Sequence, residues 1–304
     1  MPRALTPKII VPFRSNFGEG RCTDFCQDMV VYLRPETNGI QTESVLFRVF
    51  KDPVWHSKVE LTYLANVPGQ FLLDRGVVER HYNHRVRFAR QGAAAFTPAM
   101  KVMFSRFFGI PFDTARVVGA FEALSLLKLD EEALFRIWVP VYDLLEMEGQ
   151  LVKRVADDLF VVNYDIPALL LKHHETTDVA AMVFRTELSY EEFKPAVDQI
   201  RLSLVKEGLL DPDKPEHRVF HWSRGPFEQL LDAQGYVYTV RDEPVALSEL
   251  AFGRYLLAQG ETEAGILKAL WDPFSTGRNL FTATLFDTFE QAYAQFRAHR
   301  EELS

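Results

Sequence analysis

The segment HRVFHWSRGPFEQ, residues 217–229, combines side chains suited to acid–base chemistry and to anion binding. In a strand, His217 and His221 share one face because successive side chains alternate between the two faces. Arg224 then lies in the loop before a helix predicted to begin at Pro226, where free backbone N–H groups and the helix dipole favour an anion. The pattern indicates a site in which Arg224 binds a phosphate or carboxylate and His221 is the catalytic acid or base. Ordinary capping of a buried helix is the alternative.

A second group of potential ligands occurs in KHHETTD, residues 172–178. Imidazole and carboxylate groups bind transition metals, which makes His173 and Asp178 candidates for a metal site. Adjacent histidines diverge in a strand and in a helix, so at most one of His173 and His174 would serve a given ion. A polar loop that binds no metal is the alternative interpretation.

The segment ERHYNHRVRFARQG, residues 79–92, places four arginines and two histidines in an otherwise acidic protein. Val78, Tyr82 and Val86 recur at helical spacing, which predicts a single helix over residues 77–90. The two histidines lie three residues apart, but two imidazoles without further ligands do not hold zinc firmly. The segment is therefore interpreted as a basic helix and not as a metal site.

Arg80, His84 and Arg87 share one face of this predicted basic helix. Like charges on one face destabilise a helix unless negative groups meet them. Three alternatives could supply the negative charge that faces these residues: acidic residues of the same chain, a small anionic ligand or an acidic protein surface. The candidates within the chain belong to neighbouring segments: Glu122, Asp130, Glu131, Glu132, Glu146 and Glu148.

Composition narrows the class of protein. The chain has 304 residues, 47% of them hydrophobic, and a net charge of −8, which argues against general nucleic-acid binding. It contains neither an apolar run long enough to span a membrane nor a signal-peptide core, which predicts a soluble cytoplasmic protein. The two cysteines, Cys22 and Cys26, are interpreted as ordinary thiols of a reducing compartment. No phosphate-binding loop, nucleophile elbow or zinc-protease motif occurs, so the cofactor is unknown.

The hydrophobic pattern predicts an α+β protein. Strands are expected over residues 28–33, 44–50, 58–65 and 178–186. Capping residues indicate where helices begin. These residues are Thr97, Asp113 or Thr114, Asp130, and Ser189 with Glu192.

The last helix, expected over residues 281–300, carries an aromatic stripe of Phe286, Phe289, Tyr293 and Phe296. Spacings of three, four and three residues place these rings on one helix face. The favoured interpretation is a stripe that packs on its own domain. A homodimer through this helix is the alternative.

These observations predict three consecutive domains: a β-rich part ending in the basic helix (1–92), a helical segment with a β-meander (93–165), and an α/β sandwich ending in the striped helix (166–304). The favoured function is non-catalytic binding or regulation, in which the basic helix engages an anionic ligand or acidic partner through Arg80, His84 and Arg87. The alternative is an enzyme for a small anionic substrate, metal-assisted in one version, with His221 and Arg224 or His173 and Asp178 in its site.

Overall fold

The computed structural model describes residues 6–14, 26–172, 177–275 and 278–301. These residues form an α+β fold with the following strands: β1 (Lys8–Val11), β2 (Gln27–Leu33), β3 (Val59–Pro68), β4 (Arg116–Gly119), β5 (Leu144–Met147), β6 (Gln150–Ala156), β7 (Leu159–Val162), β8 (Asp178–Thr186), β9 (Phe220–Trp222), β10 (Phe274–Ser275) and β11 (Arg278–Asn279).

The α-helices of the same residues are the following: α1 (Ile40–Phe50), α2 (Pro53–His56), α3 (Gly69–Asp74), α4 (Val77–His81), α5 (Asn83–Gln91), α6 (Pro98–Phe108), α7 (Ala120–Leu127), α8 (Glu131–Arg136), α9 (Ile166–Lys172), α10 (Tyr190–Lys206), α11 (Pro226–Tyr236), α12 (Ala251–Ala258), α13 (Glu263–Trp271), α14 (Leu280–Ala283) and α15 (Phe289–Glu301). No helix of the described residues is long and apolar enough to cross a membrane.

The chain forms two compact units, and each is assembled from separated segments. Unit 1 comprises residues 1–77, 174–270 and 284–294, and unit 2 comprises residues 78–173, 271–283 and 295–304. The three domains expected from the sequence are consecutive along the chain, whereas each of these two units combines segments that are far apart in sequence.

Unit 1 is built on a five-stranded sheet in the order β1-β3-β8-β2-β9, in which every neighbouring pair is antiparallel. Helix α1 connects β2 to β3, and α10 connects β8 to β9. Two β-α-β halves with interleaved strands define a split β-α-β arrangement. The N-terminal strands and the strands of the expected C-terminal sandwich therefore belong to one sheet.

Helices cover both faces of this sheet. One face packs its core residues, such as Val31 and Met182, against α1 and α10, which contribute Val49 and Phe193. Helices α11 and α12 pack on β2. The side chains of β2 alternate between the two faces, so Asp28, Val30 and Tyr32 point away from the α1 and α10 layer.

Residues 44–50 form part of helix α1, so the strand predicted there is wrong. Val45, Leu46, Val49 and Phe50 are buried, and their spacing is that of one helix face. The local richness in Val and Phe favours a strand, but packing against the sheet decides the outcome.

Three predicted helix starts are confirmed. The Thr97 side chain caps α6, with Pro98 as the first helical residue. The Asp130 side chain caps α8, and Ser189 caps α10 in a reciprocal capping box with Glu192. The helix expected after Asp113 is wrong, because strand β4 precedes the shorter helix α7.

Unit 2 contains a four-stranded sheet in the order β4-β7-β6-β5, where β4 is parallel to β7 and the predicted meander β5-β6-β7 is antiparallel. Gly119 at the end of β4 lies directly against α5. A Cβ atom at Gly119 would lie 2.2 Å from the Ala89 carbonyl oxygen, so this backbone approach excludes any side chain.

The basic segment forms two short helices, α4 and α5, and the single predicted helix over residues 77–90 is wrong. Tyr82 interrupts it with φ −97° and ψ 18°. His81 is buried. Val86 is also buried, five residues later. Residues five apart lie about 140° apart on a continuous helix, so the interruption allows both side chains to face the interior.

The end of the chain also differs from the expected helix over residues 281–300. Helix α14 ends at Ala283, and α15 begins at Phe289. Phe286 lies between them with a φ of 62°, so it is not part of the aromatic stripe. Within unit 1, Phe289 contacts the ring of Phe252 at a centroid distance of 4.9 Å, and the chain's own residues thus cover this part of the stripe.

Cys26 is buried and disulfide-bonded, so the expectation of an ordinary thiol there is wrong. Cys22 lies outside the described residues. Disulfides are typical of oxidising compartments, and cysteine usage therefore no longer supports a cytoplasmic location.

Candidate functional site

His221 is the centre of the polar cluster that we assign as the candidate site in unit 1. It lies in the middle of the edge strand β9, opposite Tyr32 of β2. The imidazole stacks on the Tyr32 ring at a centroid distance of 4.7 Å, and Tyr32 stacks in turn on Tyr236 at 4.3 Å. Its side chain is 15% exposed. The stack fixes the ring plane while leaving part of its edge accessible.

A buried carboxylate orients this imidazole. The Nε2 atom of His221 lies 2.8 Å from Oδ2 of Asp232, which is fully buried on α11. The buried hydroxyl of Ser223 lies 2.7 Å from the same Asp232 oxygen and also within 3.2 Å of the Val30 carbonyl oxygen. Because Nε2 faces Asp232, Nδ1 is the ring nitrogen that this carboxylate does not engage.

The cluster is not a serine-protease type of triad. In a triad the serine hydroxyl bonds to histidine and the carboxylate supports histidine from behind. Here Asp232 lies between Ser223 and His221, and its Oδ2 atom is within hydrogen-bond distance of both side chains. Ser223 is also fully buried. Ser223 therefore positions the carboxylate, and the arrangement is a histidine–aspartate dyad capable of acid–base chemistry.

Arg224 and Glu228 form the outer part of the cluster at the start of α11. The Arg224 backbone N–H donates to Glu228 Oε2 at 2.6 Å, and its guanidinium lies 3.4 Å from Oε1. The same Oε1 lies 3.9 Å from His221 Nε2. The Glu228 carboxylate thus occupies the helix start where the sequence predicts a bound anion, and it links the two predicted catalytic residues, His221 and Arg224.

Further cations converge on this end of the sheet. The Arg34 side chain donates from Nε to the His217 carbonyl oxygen at 3.1 Å, and its guanidinium lies 5.6 Å from the Tyr32 ring centroid. Partial burial and the charge of Arg34 lower the pKa of His217, the charge of Glu216 opposes this shift, and the charges of Arg218 and Arg224 add smaller effects in the lowering direction. Three guanidinium groups and one carboxylate therefore act on this imidazole.

His217 does not share a strand face with His221, so that expectation is wrong. Residues 216–218 form a 3-10 turn, and β9 begins only at Phe220. The alternation of side chains that applies within a strand does not extend through the turn. His217 lies beside Arg34 at the edge of the site and is not part of its dyad.

The predicted metal site receives no ligand set from the described residues. His173 lies outside them. Asp178 begins β8 and accepts a hydrogen bond from the Asn66 amide at 2.7 Å. Across the described ranges, no group of three or more His, Cys, Asp and Glu side chains is arranged to hold a metal ion.

Ion pairs within unit 2 engage Arg85, Arg87 and Arg90 of the basic segment. Arg85 Nη2 contacts both oxygens of Asp165, at 2.8 and 2.9 Å. Arg90 lies 3.1 Å from Glu79, and Arg87 lies 3.6 Å from Asp272. The negative counterpart of these arginines is thus internal, but it consists of Glu79, Asp165 and Asp272 and not of the six acidic residues expected.

The predicted ligand residues Arg80, His84 and Arg87 no longer lie on one continuous helix. Arg80 belongs to α4, while His84 and Arg87 belong to α5. The His84 ring packs near Phe281, at a centroid distance of 5.5 Å. Burial lowers the pKa of His84 to about 3, and the neighbouring charges of Arg85 and His81 act in the same direction. His84 is therefore neutral near pH 7 and adds no charge to a basic surface.

Sequence reasoning missed the residues that support His221. Asp232, Glu228, Tyr32 and Arg34 were not singled out. One signal was present: Glu228 and Asp232 lie four residues apart on a helix that follows directly after the histidine strand, and such residues share a helix face. Tyr32 and Arg34 gave no signal, because only strand pairing brings them opposite residues almost 190 positions later.

Neither a protein-family model, nor a curated protein, nor a solved structure matches the chain.

Proposed function

We propose that unit 1 binds a small ligand bearing a phosphate or carboxylate group and that the His221–Asp232 dyad transfers a proton to or from it. The observation that carries the proposal is the 2.8 Å contact between a partly exposed imidazole and a fully buried carboxylate. A base oriented by a third group is the recurrent arrangement of acid–base and nucleophilic catalysis. This is the enzyme interpretation without a metal ion.

The charges around the dyad support an anionic ligand. Arg34 lies beside the Tyr32 ring and Arg224 lies beside Glu228 at the start of α11, and guanidinium groups bind phosphate and carboxylate oxygens in pairs. The Arg224 side chain is 47% exposed, so its fork is accessible to a ligand. Glu228 is the internal anion that a ligand would replace beside Arg224.

The basic segment supports a binding function less strongly. Arg85, Arg87 and Arg90 already meet carboxylates of their own unit, and His84 is neutral near pH 7. A ligand there would have to compete with these ion pairs. For this reason we place the ligand in unit 1.

Phosphate binding tests the proposal. Titration calorimetry with inorganic phosphate is expected to show saturable binding to the wild-type protein and at least about a tenfold weaker affinity for Arg224→Glu, because a charge-assisted contact is replaced by repulsion. Arg241→Glu is the matched control, since Arg241 is another exposed arginine of unit 1. Equal affinity in both variants would contradict the proposed location.

The substitution Glu228→Gln is expected to change phosphate affinity in the direction opposite to Arg224→Glu. The glutamine keeps a side chain that hydrogen-bonds but removes the internal negative charge beside Arg224 and His221. Phosphate affinity is expected to rise. A fall in affinity, with the fold intact by circular dichroism, would show that Glu228 is not the competing anion.

Turnover separates an enzyme from a binding protein. The wild-type protein, His221→Gln and His56→Gln are to be compared on a panel of phosphate monoesters and carboxylate esters. General acid–base catalysis predicts that His221→Gln lowers kcat by about 10² to 10⁴, while His56→Gln, at an exposed histidine outside the site, retains most of it. Phosphate binding without turnover of any panel member by the wild-type protein would favour a binding function.

A further inference from the structure

Residues 284–287 form a tight turn between α14 and α15 that lies against the start of α11, and we call this turn the strap. The backbone N–H of Phe286 donates to the Arg224 carbonyl oxygen at 2.7 Å. A Cβ atom at Gly225 would lie 2.5 Å from the Thr284 carbonyl oxygen, so the two segments are in direct backbone contact. The strap therefore contacts the two residues that immediately precede α11.

Phe286 has a backbone conformation that a residue with a large side chain rarely adopts. Its φ of 62° lies in the left-handed region. In this region the Cβ atom comes too close to the following carbonyl oxygen, which strains the backbone of every residue except glycine. Such strain persists only where surrounding contacts hold the chain in place, and it is concentrated at functional sites. In this protein, the strained residue is the one that bonds to Arg224.

Packing of the Phe286 ring does not explain this conformation. The side chain is 48% exposed, so its burial contributes little. Its ring centroid lies 6.4 Å from that of Tyr190, near the outer limit of aromatic contact. The hydrogen bond to Arg224 and the close approach at Gly225 are therefore the contacts that hold the backbone of the strap in place.

Arg224 is held through both of its backbone polar groups. Its N–H donates to Oε2 of Glu228 at 2.6 Å, and its carbonyl oxygen accepts from Phe286. The side chain, in contrast, is 47% exposed. A fixed backbone that carries an accessible guanidinium is typical of a preorganised ligand contact, because less freedom is lost when the ligand binds.

We propose that Phe286 is a positioning residue of the anion site and that it acts through its backbone: the left-handed turn fixes the Arg224 backbone from which the guanidinium reaches the ligand. This role rests on the proposed anion-binding function of unit 1. Phe286 holds the residue that contacts the ligand and does not contact the ligand itself. The conformation of Phe286 is therefore required for binding, whereas its ring is dispensable.

Three substitutions separate the backbone of Phe286 from its ring. Phe286→Gly and Phe286→Asn remove the ring, but both residues accept a left-handed φ and keep the N–H donor. Phe286→Val keeps an apolar side chain, but its branched Cβ disfavours this conformation. Each variant is to be titrated with inorganic phosphate by calorimetry.

The expected order of affinities follows from the backbone. Phe286→Gly and Phe286→Asn are expected to bind phosphate within about twofold of the wild-type affinity, and Phe286→Val at least about fivefold more weakly. Unchanged affinity in Phe286→Val would overturn the proposal. An equal loss of affinity in all three variants would also overturn it, because the ring would then be the group that matters.

Asp242→Val is the matched control for a general loss of stability. Asp242 of unit 1 also has a left-handed φ, of 61°, but its carbonyl oxygen accepts from Arg75. Both valine variants are expected to unfold at a lower temperature than the wild-type protein, while Asp242→Val keeps its phosphate affinity within about twofold. An equal loss of affinity in Asp242→Val would contradict a specific role of Phe286.

Amide hydrogen exchange in phosphate-free protein separates this role from the proposed function. The Phe286 amide is expected to be protected in the wild-type protein and to exchange at least about tenfold faster in Phe286→Val. A wild-type protein that binds no phosphate would contradict both the proposed function and the role of Phe286 in it. Phosphate binding by a wild-type protein whose Phe286 amide is unprotected would overturn the role of Phe286 alone.

Discussion

Individual side chains decide what the histidines of this protein can do. His84 and His221 are both predicted site residues, but their surroundings differ. Burial among rings keeps His84 neutral, whereas Asp232 orients His221 through a hydrogen bond. Residue type and spacing made both histidines candidate site residues. The sequence pattern could not show that His84 packs against aromatic rings whereas a carboxylate holds His221 in a fixed orientation.

His84 predicts an acid sensitivity of stability. The folded state holds its pKa at about 3, whereas the unfolded chain takes up a proton near pH 6.5. The unfolded state therefore binds more protons between these values, and the free energy of unfolding falls as the pH is lowered through this window. The decrease from this residue is at most about 1.4 kcal/mol for each pH unit.

The substitution His84→Phe tests this sensitivity, because the variant keeps an aromatic ring beside Phe281 but cannot be protonated. Urea denaturation near pH 7 and near pH 5 is expected to give a smaller loss of stability for the variant than for the wild-type protein. His56→Gln, at an exposed histidine, is expected to behave like the wild type. An unchanged pH dependence in His84→Phe would mean that His84 is not the responsible group.

Elements were predictable where a local signal and the packing agree. The capping residues of α6, α8 and α10 and the meander β5-β6-β7 follow from short-range chemistry. Helix α1 does not, since its Val- and Phe-rich sequence favours a strand and tertiary contacts override that preference. Strand β4 was missed for a different reason: its two valines favour the observed strand, but the helical pattern of α7 was extended back over them. The interruption between α4 and α5 at Tyr82 depends on which residues of the segment are buried. Hydrophobic periodicity alone cannot predict where the helix breaks.

Helix α11 positions most of the candidate site, and its start depends on Gly225. A Cβ atom at Gly225 would lie 2.5 Å from the Thr284 carbonyl oxygen. Backbone atoms cannot move aside as flexible side chains do, so Gly225→Ala is expected to shift the start of α11. Thermal unfolding is expected to show a destabilisation of about 1–3 kcal/mol, typical of overpacking.

Gly265→Ala is the matched control for this prediction. Gly265 lies in helix α13 of the same unit, and a Cβ atom there meets only the Thr262 hydroxyl, at 3.1 Å. Alanine is the better helix former, so this variant is expected to be neutral or more stable by up to about 1 kcal/mol. Equal effects of the two substitutions would exclude the close approach at Gly225 as the cause.

At the scale of the molecule, the sheet of unit 1 brings together segments far apart in sequence. Strand β2 lies between β8 and β9, which follow it by about 150 and 190 residues. Hydrophobic periodicity reports on neighbours along the chain and carries no information on such pairings. The α+β class was therefore predictable, and so were His221 and Arg224 as candidates, while the carboxylates, the Tyr32 stack and Arg34 required the fold.

We propose that His221, Asp232 and Arg224 form one anion site. Histidine-labelled protein titrated with inorganic phosphate and followed by NMR of the imidazole nitrogens tests it most directly, with His221→Gln assigning the signal. A saturable shift of the His221 signals is expected in the wild-type protein, and it is expected to be absent in Arg224→Glu and retained in Arg241→Glu. His221 signals that do not respond to phosphate, or that respond equally in Arg224→Glu, would contradict it.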